Sequence, residues 1–282
     1  MLSAVIPTHN RAPVLARCLD ALAAQEPDEV VVVDDGSTDA TAAVLAERPW
    51  ARVVRRRHGG RSAAKNAGLE AASGDIVLFL DDDVLAQPGL VERHARHHER
   101  LPEPHEALLG HVTWAPELEI TRHMRWLERG GPLFSFDTIG DPDDVSFDHL
   151  YTANCSLKRE FLEPFDEQLP IYEDTELGFR LSRRGLRLRY DPLALGHHLR
   201  EETPRRTERR MEQAGAAAAL LHRKWPELRE PPPRMRAVGH AKAAGVAALS
   251  RLGYRRLDDR LDEYRGARAF ARGYQGASDS AL

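Results

Sequence analysis

Cysteine is nearly absent from the chain: Cys18 and Cys155 are the only two, far apart and without ligand spacing. That excludes a disulfide framework and a cysteine-based zinc site, and it fits reduced cytoplasmic thiols. Aromatic residues are also few, at 6%, which gives no stacking surface for nucleic acid. No apolar run approaches the roughly 20 residues that a membrane span needs. Met1 leads directly into the strand-like Leu2-Ser3-Ala4-Val5-Ile6, so no signal peptide is read and a cytoplasmic protein is expected. The G-x-G-x-x-G fingerprint of dinucleotide-binding folds is missing too.

What is present is an ordinary folded composition, 42% hydrophobic and 30% charged over 282 residues, enough for a large α/β domain with an appendage. The net charge of -4 conceals an asymmetry. Residues 1–200 carry 23 Lys and Arg against 33 Asp and Glu, whereas residues 201–282 carry 17 against 11. An acidic body is thus joined to a basic tail, which reads either as a segment with some attraction for anionic surfaces or as a solvated helical surface.

The first eighty residues alternate between β-branched runs and helical stretches. Strands are expected at Ala4-Val5-Ile6-Pro7, Glu29-Val30-Val31-Val32-Val33-Asp34, Ala51-Arg52-Val53-Val54 and Asp75-Ile76-Val77-Leu78-Phe79-Leu80, with helices at 13–24 and 62–72. Continuous apolar runs of this kind suit strands buried on both faces. The βαβαβαβ order predicts a mostly parallel central sheet with helices on both faces, whose ligands collect outside the carboxyl ends of the strands. Two acidic clusters, Asp34-Asp35-Gly36 and Asp81-Asp82-Asp83, fall at such ends and converge on one rim. Beyond residue 90 the pattern weakens. A Gly/Pro/Asp-rich stretch at 129–148 reads as a mobile lid, and Ala/Arg-rich helices at 207–225 and 235–274 flank Pro231-Pro232-Pro233.

Three adjacent carboxylates repel one another unless a cation neutralises them, and oxygen ligands favour Mg²⁺ or Mn²⁺. Gly59-Gly60-Arg61, entering a helix, offers close backbone approach and a positive dipole to an anion, with Arg61 and Lys65 four residues apart on one helical face. Glu173-Asp174 opens another helix, where either carboxylate could take a proton or simply complement the macrodipole.

The strings Val5-Ile6-Pro7-Thr8-His9-Asn10-Arg11, Val32-Val33-Asp34-Asp35-Gly36-Ser37-Thr38-Asp39, His58-Gly59-Gly60-Arg61-Ser62-Ala63-Ala64-Lys65-Asn66-Ala67-Gly68, Phe79-Leu80-Asp81-Asp82-Asp83, Asn154-Cys155-Ser156-Leu157-Lys158-Arg159 and Tyr172-Glu173-Asp174-Thr175-Glu176-Leu177 resemble, in order and spacing, the family 2 glycosyltransferases of the GT-A fold. The resemblance covers roughly residues 1–200, so a catalytic domain is expected there (1–100 for the nucleotide sugar, 101–200 for acceptor and base), followed by a helical extension at 201–282.

The resemblance implies an inverting, metal-dependent transferase. Pro7, Thr8, Asn10 and Arg11 would lie against base and ribose, with Asp34 or Asp35 on the base. Arg61 and Lys65 would face the donor. Asp81 would contact the ribose, Asp83 the metal, and Asp82 would assist by hydrogen bonding. Asp174 would act as general base beside Glu173, and His197 rather than His198 would complete the metal set with Asp83 and Asp81. The implied partners are a UDP- or GDP-sugar and a glycan, lipid-linked or small-molecule acceptor. Nucleic acid is not among them, while a homodimer and peripheral membrane contact through the basic C-terminal region are compatible with it. The rival readings are a sugar nucleotidyltransferase, disfavoured because the first strand runs into Thr8-His9-Asn10-Arg11 rather than an early Gly-rich basic loop, and a non-catalytic sugar-nucleotide or glycan-binding module, disfavoured by Asp174 together with Asp81 and Asp83.

Overall fold

The computed structural model describes residues 1–128, 133–228 and 258–279. Part of the expected lid, 129–132, and most of the stretch from Pro231-Pro232-Pro233 through the helix expected at 235–274 lie outside the described residues. Two compact units are formed. The first comprises Met1–Glu119, Ser135–Gln168 and Glu173–Arg200, and the second Ile120–Phe134, Leu169–Tyr172 and Glu201–Leu282.

The first unit is built on eight strands: β1 (Leu2–Thr8), β2 (Glu29–Asp34), β3 (Arg52–Arg55), β4 (Ile76–Leu80), β5 (Val84–Ala86), β6 (Glu106–Trp114), β7 (Asn154–Lys158) and β8 (Arg187–His198). They lie in the order β3-β2-β1-β4-β7-β6-β8-β5. The first four are parallel, β7 is antiparallel to both β4 and β6, β8 runs parallel to β6, and β5 closes the edge antiparallel to β8. Chain order reverses across β1, because the connection from β3 jumps past β2 and β1 to β4. Such a switch leaves a crevice outside the carboxyl ends of β1 and β4.

The β-branched runs form strands because both of their faces are covered. Ala4, Ile6, Val30, Val32, Leu78 and Leu80 point to one face and pack with Leu15, Leu19 and Leu22 of α1 (Ala12–Ala23) and Leu90 and Val91 of α4 (Leu90–Arg100). The opposite parity, Val5 and Val33, meets α3 (Arg61–Ala71) at Gly68, where a Cβ would lie 2.3 Å from Val5 Cγ1. Glycine is therefore required for α3 to lie this close to the sheet. A short α2 (Thr41–Ala46) follows β2, and α6 (Glu173–Ser182) precedes β8.

In the second unit, α5 (Arg122–Glu128), α7 (Pro204–Lys224) and α8 (Asp258–Asp279) meet around His123. Its Nδ1 is 3.0 Å from Asp262 Oδ2 and its Nε2 2.8 Å from Thr207 Oγ1. Gly215 and Gly273 let α7 and α8 touch backbone to backbone, since a Cβ on Gly215 would sit 1.9 Å from the Phe270 carbonyl oxygen. No helix among the described residues is long and apolar enough to cross a membrane.

Candidate active site

The triplet at the end of β4 is held by side chains from three other elements. Asp82 and Asp83 are buried and Asp81 is partly exposed. Thr8, the last residue of β1, donates its hydroxyl to Asp82 Oδ2 at 2.6 Å. Arg11, entering α1, donates to Asp83 Oδ2 and lies 3.6 Å from Asp82 Oδ1. The other oxygen of Asp83, Oδ1, is 3.2 Å from His198 Nε2 on β8. Burial pushes Asp82 up to about 7, Arg11 opposing and Asp83 reinforcing the rise. Asp83 is equally buried, yet its contacts with His198 and Arg11 outweigh desolvation and hold it well below the usual carboxylate range.

At the end of β2, Asp34 and Asp35 are both buried and both engaged. Asp34 Oδ1 caps the turn by accepting from Ser37 N–H at 2.9 Å. The Asp35 carboxylate accepts from Gly59 N–H, from Gly60 N–H at 2.8 Å and from Arg56 Nη1 at 2.9 Å, and it lies 2.8 Å from His58 Nδ1. This clasp shapes the loop that feeds α3, with Gly60 at φ 91°. Above it the rings of His9 and His58 stack at 4.2 Å. Asn10, at φ 54°, accepts from Thr38 N–H at 2.7 Å and so orders the 37–39 turn. Pro7 is paired in register with Val33 in the β1/β2 ladder.

The third element is the meeting of α3 with α6. Glu173 is buried and receives Lys65 Nζ at 2.8 Å, with Arg61 Nη1 at 3.8 Å. Burial raises its carboxyl, but Lys65 and Arg61 outweigh that and lower it. Its neighbour Asp174, partly exposed, accepts from Thr175 N–H at 2.9 Å. Burial and the charge of Glu173 push Asp174 up to about 6 against Lys65, the Thr175 hydrogen bond and Arg61. Arg61 feels the charge of Glu173 most, then of Asp81 and Asp174, and together these outweigh burial and raise its guanidinium above the usual value.

Two placements differ from the sequence reading. The histidine against Asp83 is His198, and strand alternation turns His197 to the opposite face of β8. Lys65 is not turned outward beside Arg61: its side chain is 4% exposed against 48% for Arg61, with the ammonium donating to Glu173 and Thr152. Residues that the sequence reading did not single out also belong here, namely His9, Arg56, His58 and Thr152. Only His9 and His58 carried a signal, each lying inside a recognised string.

The donor set suits a hard divalent cation in part. Asp83 and Asp81 offer carboxylate oxygens and His198 one imidazole nitrogen, while Arg11 already supplies positive charge to Asp83. Among the described residues no three His, Cys, Asp or Glu side chains form a ready metal cluster. Such a set accords with Mg²⁺-type binding, in which one or two carboxylates are complemented by phosphate oxygens and water.

A mixed sheet whose first four strands are parallel, with a strand-order switch, acidic clusters at two of its strand ends and a carboxylate pair across the rim define a nucleotide-sugar glycosyltransferase of the GT-A fold, the fold of its solved neighbours. The model of the family described as "Glycosyl transferase family 2" matches residues 3–163. The chain belongs to that family. It is 29% identical over 190 residues to the uncharacterized glycosyltransferase YwdF of Bacillus subtilis, a match covering 64% of this chain and 68% of YwdF. It is 34% identical over 224 residues to the validoxylamine A glucosyltransferase of Streptomyces hygroscopicus, a match covering 66% of this chain and only 52% of that relative. Among solved structures, a Pyrobaculum calidifontis mannosyltransferase in complex with GDP-Man and Mn²⁺ superposes with a TM-score of 0.64 at 19% identity, covering 97% of this chain and 86% of that one.

Proposed function

We propose that the chain transfers a sugar from a nucleoside-diphosphate donor, a UDP- or GDP-sugar, to an acceptor hydroxyl with inversion at the anomeric carbon, Asp174 acting as general base. The observation that carries this reading is the split within one carboxylate pair: Glu173 is locked by Lys65 and Arg61, while Asp174 is poised at about 6. A base of that kind is largely ionised at neutral pH yet still basic enough to accept a proton as the acceptor oxygen attacks.

The clasped Asp35 loop and the Asn10 turn form the wall against which the nucleoside lies, and Arg61 faces the diphosphate side of the rim. Asp83 and Asp81, with His198 behind them, are the groups that would hold a divalent ion. Bound there, Mg²⁺ or Mn²⁺ stabilises the negative charge that develops on the leaving diphosphate. The acceptor is a glycan, a lipid-linked sugar or a small molecule. The four arginines Arg205, Arg206, Arg209 and Arg210 of α7 support peripheral contact with an anionic membrane surface at the inner face.

The test is a panel of UDP- and GDP-sugars incubated with Mn²⁺ or Mg²⁺ and candidate acceptors, read as nucleoside diphosphate release. Release of diphosphate with an inverted product is expected. Pyrophosphate formation, or binding of nucleotide sugar without turnover for every acceptor class, would overturn the reading.

A further inference from the structure

Lys65 is the most buried cation in the site and the mechanism above gives it no contact with substrate. Its helix offers water on one side, yet the side chain runs inward beneath α6, 5.1 Å from the Phe165 ring centroid. The ammonium ends between Thr152 Oγ1, itself buried, and Glu173 Oε1. Two adjacent carboxylates, Glu173 and Asp174, begin α6 and therefore compete for one proton unless something distinguishes them.

We infer that Lys65 is a positioning residue: anchored on Thr152, its ammonium commits the Glu173 carboxylate to an internal ion pair and leaves Asp174 as the one that exchanges a proton with the acceptor. This inference deepens the proposed function and rests on its reading of Asp174 as base. The titratable and charged groups that interact electrostatically with Asp174 are Glu173 on its own helix, Lys65 and Arg61 on α3, Tyr151 in the segment before β7, and Cys155 on β7. Burial and Glu173 oppose its ionised form while Lys65 and, more weakly, Arg61 favour it, so at fixed burial the ionisation of Asp174 reports the balance among these charges. Arg61 is half-exposed and screened by water, whereas Lys65 is enclosed and screened far less.

The consequence is a charge cycle. Glu173→Gln removes the repulsion and moves the acidic limb of kcat/KM to lower pH. Adding Lys65→Met to that variant removes the attraction without leaving any carboxylate unpaired, and the limb moves back up by about one unit or more, the shift expected of a nearby opposite charge. Lys65→Gln alone, measured against the unaltered protein, shifts the limb upward. Lys65→Arg keeps the charge and leaves it in place.

The experiment is the pH profile of diphosphate release for these variants, paired with a carbon-13 NMR titration of the Asp174 carboxyl in each. Parallel movement of the NMR titration and the kinetic limb is the result expected. Coincident NMR titrations for Glu173→Gln and Glu173→Gln/Lys65→Met would overturn the positioning role. If the Asp174 titration shifts as described while the kinetic limb ignores it, the positioning role stands and the base assignment fails. Should Glu173→Gln not fold, an unmoved Asp174 titration in Lys65→Gln overturns the role on its own.

Discussion

The hydroxyl of Thr8 donates to the carboxylate of Asp82 across the gap between β1 and β4, 74 residues apart in sequence. The bond fastens the two strand ends that border the crevice, and it lowers Asp82 against the upward push of burial. Thr8→Val keeps the shape of the side chain and removes the donor. A buried hydrogen bond to an ionisable carboxyl contributes about 1–3 kcal/mol. Denaturant unfolding of Thr8→Val is therefore expected to show a stability loss of about that size, together with weaker binding of the nucleotide sugar.

The choice between the two adjacent histidines is testable by calorimetry of a donor with Mn²⁺. Asp83→Ala is expected to abolish metal-dependent donor binding, because the carboxylate facing both Arg11 and His198 is removed. His198→Ala should weaken that binding by about 10–100-fold, the usual cost of losing a metal ligand or its immediate support. His197→Ala should leave it unchanged. Equal effects from the two histidines would show that β8 does not present its side chains as described.

Asp174→Asn is nearly isosteric and cannot take the acceptor proton, so turnover should fall by about 10²–10⁴-fold while donor affinity survives. In the unaltered protein the ionised form is the active one. Since burial and Glu173 place the carboxyl at about 6, the rate should rise with pH through that region and level off above it. NMR of the product should show the anomeric configuration opposite to the donor's. A flat profile between pH 5 and 7 contradicts the assignment.

In the second unit the contact between α7 and α8 depends on two missing side chains. Gly215→Val would drive a branched side chain into the Phe270 carbonyl, and neither helix can yield without losing the packing along its length. Limited proteolysis within 204–224 is expected to quicken markedly. Gly276→Ala on the same α8 helix, where a Cβ would meet nothing within 4 Å, is the matched control and should leave the cleavage rate as it was.

Much of the first half of the fold was legible because its strands are buried on both faces. Runs such as Val30 to Val33 have few other uses, and the carboxylates that follow them fall at strand ends by simple counting. Parity on β8 was not legible. Between Asp191, paired with Gly110, and Leu195, paired with His111, the three residues Pro192, Leu193 and Ala194 leave the β6 ladder. An odd number of extra residues reverses which face each later side chain takes, and no local pattern announces it. Lys65 was hidden for a related reason: its i,i+4 relation to Arg61 describes the helix surface, but only α6, more than a hundred residues later, decides which part of that surface is inside. The antiparallel β7 and the closing strand β5 carry weak local signals, because each is short and is defined by its partners.

The clasp on Asp35 also has a bearing on how this chain can diverge from its relatives. A carboxylate that satisfies two backbone N–H groups and an arginine cannot be exchanged for an amide or an aliphatic side chain by one mutation, because each step would strand buried polar groups. A side chain at Gly59 would push the Arg56 guanidinium, 2.8 Å from where its Cβ would be, off Asp35. Positions 35, 56 and 59 are thus coupled across a gap of two dozen residues, and a substitution at one of them is expected to be tolerated only with compensating changes at the others.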